Sequence, residues 1–258
     1  MSRPPAAVEP FPHFLARLEA VPEPPGDKGP AETPPWPAQV VAALFEGQDP
    51  AVSKDWARRV HSELVRLGGQ VPFTVVHDWH ARVVVPMLAE ASARDGGDTA
   101  PQRALLHLHT RALAGERIGE AEWSAALGPV VREAHRRAYA YEDAFATAYA
   151  GAHGYARANG FEESAAAEYA GTYATMNTGA NAESYADANA LANTPVLALA
   201  YATGDARAYA EAYPFAQARV CAHAHAGRRQ AEGRPERLRA AHGRLADGLA
   251  EALARAAA

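Results

Sequence analysis

Between residues 138 and 226, alanine falls on most even-numbered positions of this 258-residue chain. Strict alternation of apolar and polar residues ordinarily signals a half-buried strand. Here the alternating residue is the best helix former, and β-branched residues are scarce, so a sheet is the poorer solution. In a helix, two residues turn the backbone by about 200°, and alanine at every second position therefore spreads around the whole cylinder. Such helices are slim and can approach one another closely. The interleaved Tyr, Asn, Asp, Glu and His then decide what each face does. The sequence predicts an all-α protein, a multi-helix bundle of seven to nine helices with an N-terminal Pro-rich arm.

Helix signals continue outside this half. Phe11, Phe14, Leu15 and Leu18 are spaced for a short helix that must dock on something to persist. The segment 21–37, VPEPPGDKGPAETPPWP, carries seven prolines and reads as a stiff extended linker. This divides the chain into an arm, residues 1–37, and an Ala-rich helical domain, residues 38–258. Asp49-Pro50 is a helix start, with a capping carboxylate and a proline in the first turn. Thr99 and Gln102 in TAPQ have the spacing of a capping box. The valines of 71–94 suit a strand, but Val76, Trp79 and Val83 are spaced for a helix, with a kink expected at Pro86. Breaks are expected at Asn159-Gly160, Thr178-Gly179, Thr194-Pro195, Gly204-Asp205 and Pro214, and Pro129 is expected to begin a helix.

Bulk properties narrow the functional classes. A formal charge of −5 and a pI near 6.1 argue against a general nucleic-acid binder. The single cysteine, Cys221, excludes an internal disulfide and a cysteine metal cluster. The N-terminus lacks the apolar core of a signal peptide, and no window suits a membrane span. The expected location is therefore cytoplasmic, with no membrane partner. Near-absence of lysine beside abundant alanine, glycine and arginine has the look of a GC-rich bacterial host.

The candidate site residues lie in helical columns. Tyr173, Asn177, Asn181, Tyr185 and Asn189 recur every four residues. Asparagine is a mediocre helix residue, so its repeated use needs a reason. The stripe is a solvated face, an inter-helix hydrogen-bond ladder, or a wall of a ligand site. A second column, Tyr141, Phe145, Tyr149 and His153, would complete an aromatic-walled groove if it faced the first. HDWH places His77 and His80 one helical turn apart, with acid–base use tuned by Asp78. No metal set or cofactor motif is expected: HExxH, GxGxxG, GxxxxGK[ST] and GxSxG are absent. The candidate catalytic residues are thus His77, His80 and His153. The ligand-binding candidates are Tyr149, Tyr173, Asn177, Asn181, Tyr185 and Asn189.

Three functions fit these residues. The first is a binding or accessory protein whose Tyr/Asn groove holds a small molecule or a peptide, with a protein partner for the N-terminal arm. The second is a tailoring enzyme of specialised metabolism using His or Tyr acid–base chemistry. The third is a structural or oligomerising helical protein.

Overall fold

The computed structural model describes residues 8–20, 33–227 and 233–257, and every regular element among them is helical. The twelve α-helices are α1 (Phe11–Glu19), α2 (Trp36–Gly47), α3 (Pro50–Arg66), α4 (Thr74–Trp79), α5 (Val85–Arg94), α6 (Ala100–Leu113), α7 (Glu120–Ala138), α8 (Tyr141–Ala158), α9 (Glu163–Thr203), α10 (Ala206–Glu211), α11 (Pro214–Ala226) and α12 (Arg234–Arg255). A π turn, His80–Val84, joins α4 to α5, leaving eleven separate rods. That exceeds the expected seven to nine. Short rods account for the undercount. The six-residue α10 is far too short to persist alone, yet Asp205 caps it through Arg207 N and Ala208 N, and it buries Tyr209 and Ala210.

Several local signals act as the sequence implied. Asp49 accepts a hydrogen bond from Ala51 N at 2.9 Å, with Pro50 in the first turn. Gly204 ends α9 in the left-handed region, at φ 65°. Others are overridden. Pro129 lies inside α7, and Thr178, Gly179 and Pro195 lie inside the 41-residue α9. Packing of α9 along both α7 and α8 holds it as one rod where local propensity favours breaks. The irregularity expected at Pro86 sits one turn earlier. Pro86 has no N–H to return to Arg82, and the π turn absorbs the mismatch, with Val85 N bonding His80 O. Thr99 makes no cap. Asp98 takes Ala100 N instead, and Gln102 turns inward to Ser92.

Helix α12 organises the core. Its Leu245, Leu249 and Leu253 are buried, and its backbone carbonyls at Leu245 and Ala246 accept the indole N–H groups of Trp79 and Trp56 at 2.9 and 2.8 Å. Gly248 admits Val83 so closely that a Cβ there would sit 2.3 Å from Val83 Cγ2. Asp78 receives Arg82 and Arg255, tying the end of α12 to α4. Helix α1 docks on α2 and α3, with Phe14 buried beside the His61 ring. The proline-rich segment 21–32 and residues 1–7 of the expected arm lie outside the described residues.

Within the alanine-rich half, α10, α11 and the end of α9 join the main hydrophobic core, whereas no residue of α8 does. Helix α8 has α9 as its one extensive packing partner. The seam between them is alanine: Ala152 and Ala156 of α8, and Ala166, Ala170 and Ala174 of α9, are buried. The two helices make an antiparallel hairpin that leaves the body where α9 passes beyond α7. No described helix is long and apolar enough to cross a membrane.

Candidate functional site

The sequence-derived candidates do not converge. His77 and His80 are buried, with 6% and 7% exposure, in an aromatic cluster drawn from α4, the π turn, α6, α7, α9 and α10. His80 Nδ1 lies 2.8 Å from Val76 O, which can only accept, so Nδ1 carries the proton. Its Nε2 then accepts from the Tyr201 hydroxyl at 3.1 Å. With its own proton committed to His80, Tyr201 accepts from Tyr209. His77 and His109 share one proton between Nδ1 atoms 3.0 Å apart. His109 Nε2 and Trp123 Nε1 are buried without a protein partner.

Burial dominates the electrostatics of this cluster. It pushes His77 and His80 down to about 4, and the charge of His80 adds to the effect on His77. His109 is held well below the usual imidazole range by burial and then by the two neighbouring histidines. Burial raises the Tyr201 and Tyr209 hydroxyls. At neutral pH the network is a chain of uncharged donors and acceptors whose members line none of the clefts described below. Among the described residues, no three or more His, Cys, Asp or Glu side chains are grouped to hold a metal ion. Cys221 is buried, its thiol pushed up to about 12 by burial, which makes it a packing residue.

The asparagine stripe faces water for much of its length, so it does not form the enclosed wall considered from the sequence. Asn181 donates to Asn177 Oδ1 at 2.9 Å, and Asn189 donates to Tyr185 O at 2.8 Å. These amides are satisfied along their own helix. His153 on α8 stacks on Tyr149 at 5.8 Å and reaches Glu163 at 3.1 Å. The column Tyr141, Phe145, Tyr149 and His153 does stack ring on ring, but it does not face the stripe. The face of α8 opposite Tyr173 and Asn177 is Thr147, Ala148, Gly151, Ala152 and Tyr155, around a shallow groove of about 400 Å³.

A larger cavity lies elsewhere, among α5, α6, α7, α9, α11 and α12. It has a volume of about 1220 Å³ and is lined by Gln102, Arg136, Arg137, Tyr139, Gly179 and Arg237, among others. A second cleft of about 400 Å³ shares Arg137, Tyr139 and Gly227 with it and extends to Tyr185 and His223. Tyr185 is thus the one member of the stripe that reaches this region, packing on the Tyr139 ring at 5.5 Å.

The polar groups of the cleft are held by the body of the protein. Arg136 donates twice to Glu133, both at 2.8 Å, and Arg137 pairs with Asp95 and Glu133. Burial works to raise the Glu133 carboxyl, but the hydrogen bond from Arg136 and the charges of Arg137 and Arg136 outweigh it and keep it ionised. Arg237 caps the Ala226 carbonyl at the end of α11. Gln102 is 2% exposed; its Nε2 donates to Ser92 Oγ at 3.0 Å and its Oε1 has no protein partner. A buried amide oxygen without a partner costs about 1–3 kcal/mol.

Sequence reasoning missed Gln102, Arg136, Arg137 and Tyr139 as site residues, because they come from α6 and the end of α7 and show no shared spacing pattern. His109 lies two residues from His107 on α6. Its partner His107 is exposed, and only tertiary packing selects His109 for the core. Comparison with known proteins finds no matching family, no matching curated protein and no matching solved structure.

Proposed function

We propose that the chain is a helical binding protein that holds a small polar molecule in the cleft lined by Gln102, Arg136, Arg137, Tyr139 and Gly179. The observation that carries this reading is the convergence of Gln102 of α6, Arg136 and Arg137 at the end of α7, Tyr139 and Gly179 of α9 on one cavity of about 1220 Å³. The cavity volume suits a small-molecule ligand, and convergent polar groups with aromatic neighbours are the usual make-up of such sites. Gly179 supports the same reading. Glycine costs roughly 1 kcal/mol relative to alanine in a helix interior, and a Cβ here would meet nothing within 4 Å. In a helix built largely of alanine, a glycine that lines the cavity keeps the wall open.

The test is a screen of polar metabolite-like compounds by amide NMR on the full chain. Hits are expected to shift the Gln102 side-chain amide and the backbone amides of Gly97 and Gly179. Gly179→Trp, which projects an indole into the cavity, should abolish those shifts while the circular dichroism spectrum stays helical. Hits that persist in Gly179→Trp, or that shift only distant amides, would overturn the proposal. The acid–base enzyme remains the second reading, and its support is the proton chain Tyr209–Tyr201–His80. That chain is sealed in the core, so catalysis there requires the core to open.

A further inference from the structure

The α8–α9 hairpin has surface features that the cleft does not explain. Four large apolar residues near its tip are exposed: Tyr155 at 62%, Phe161 at 43%, Tyr169 at 39% and Tyr173 at 44%. They are contiguous. Tyr169 lies between Phe161 at 5.9 Å and Tyr173 at 6.3 Å, with Tyr155 at 6.4 Å. Three of them rim the shallow groove between the helices, and its floor is Ala148, Gly151 and Ala152. Met176, on the next turn of α9, is 71% exposed. A contiguous exposed apolar patch of this kind marks an interaction surface.

Charge selects the occupant. The tip of the hairpin, residues 153–177, carries three carboxylates (Glu162, Glu163 and Glu168) against one arginine, Arg157. Arg157 is already engaged by Glu163 at 3.3 Å. The tip is therefore net negative. A second copy docking hairpin to hairpin would bring like charges together, which opposes association. A cationic segment meets the opposite situation: exposed tyrosine faces suit arginine guanidinium groups, and the surrounding carboxylates attract them. The small floor residues leave room for an apolar side chain between two cations.

We propose that the aromatic groove of the α8–α9 hairpin is a docking surface for an arginine- or lysine-rich peptide segment of a partner protein. It is independent of the cleft and does not rest on the function proposed there.

The probe is a short fluorescein-labelled peptide alternating arginine and leucine, titrated with the full chain by anisotropy, beside a control with glutamate in place of arginine. The arginine peptide should bind and the glutamate peptide should not. Raising ionic strength from about 0.05 to about 0.5 M should weaken binding strongly, because exposed charges are screened. The double variant Tyr169→Ala, Tyr173→Ala should bind about tenfold more weakly, as loss of aromatic anchors does elsewhere. Glu168→Gln, an exposed helix substitution that preserves the fold, should give a smaller loss. Unaltered binding by the tyrosine variant would show charge attraction alone and overturn the proposal. Failure of the arginine peptide to bind, or equal binding of the glutamate peptide, would overturn it too. So would a concentration-dependent dimer in sedimentation that the tyrosine variant abolishes, since a second copy would then be the occupant.

Discussion

Lowering the pH from 7 to 5 should destabilise this fold more than carboxylate titration can explain. The cause is the buried imidazole cluster. His80 is pushed from 6.5 down to about 4 in the folded protein. A base with a depressed folded pKa binds more protons when unfolded, so its contribution is full above pH 6.5 and is lost as pH falls towards 4. At pH 5 the unfolded imidazole is almost fully protonated and the folded one almost neutral, which removes about 2 kcal/mol for His80 alone. His77, also pushed down to about 4, adds a loss of the same sign. His109 and His135 are likewise lowered by burial and act in the same direction. Domains of this kind are commonly stable by about 5–15 kcal/mol, so the combined loss is a large fraction of the total. Carboxylates ordinarily titrate near 4, below this window, and Arg244 and His225 hold Glu90 lower still. The assay is urea unfolding followed by circular dichroism at pH 7, 6 and 5. Unfolding free energies at pH 7 and 5 that agree within about 1 kcal/mol would refute the argument that the cluster is buried and neutral.

Three further outcomes are expected in the same assay. His135→Leu should leave stability at pH 7 unchanged or raise it, because both ring nitrogens are buried without a partner and an unpaired polar group costs about 1–3 kcal/mol; a clear loss would show that water or another group satisfies the ring. Gly179→Ala should stabilise by about 0.5–1 kcal/mol, whereas Gly248→Ala should destabilise by about 1–3 kcal/mol, since its Cβ would strike Val83. Unfolding free energies that move together would refute the packing described at these two positions. Asp78→Asn should lower stability by only about 1 kcal/mol, because the carboxylate is nearly buried but its partners Arg82 and Arg255 remain largely in water.

Local chemistry alone determined the helical class and several helix ends. Alanine at alternate positions, with few β-branched residues, leaves the helix as the economical backbone for the second half. Asp49, Asp205 and Gly204 act through bonds and dihedrals within a few residues, so their roles can be read from the sequence. Long-range packing decided the rest. Pro129 and Pro195 are carried inside helices because the α7–α9 contact outweighs a missing hydrogen bond. Gln102 looked like half of a capping box, yet packing turned it into the core against Ser92. His109 and His107 are equivalent in the sequence and opposite in the fold. The four-residue column of Tyr and Asn on α9 was legible, but which way it faced was not. Alanine is small enough to form the seam on either side of such a helix, and only the positions of α7 and α8 fix which side is buried.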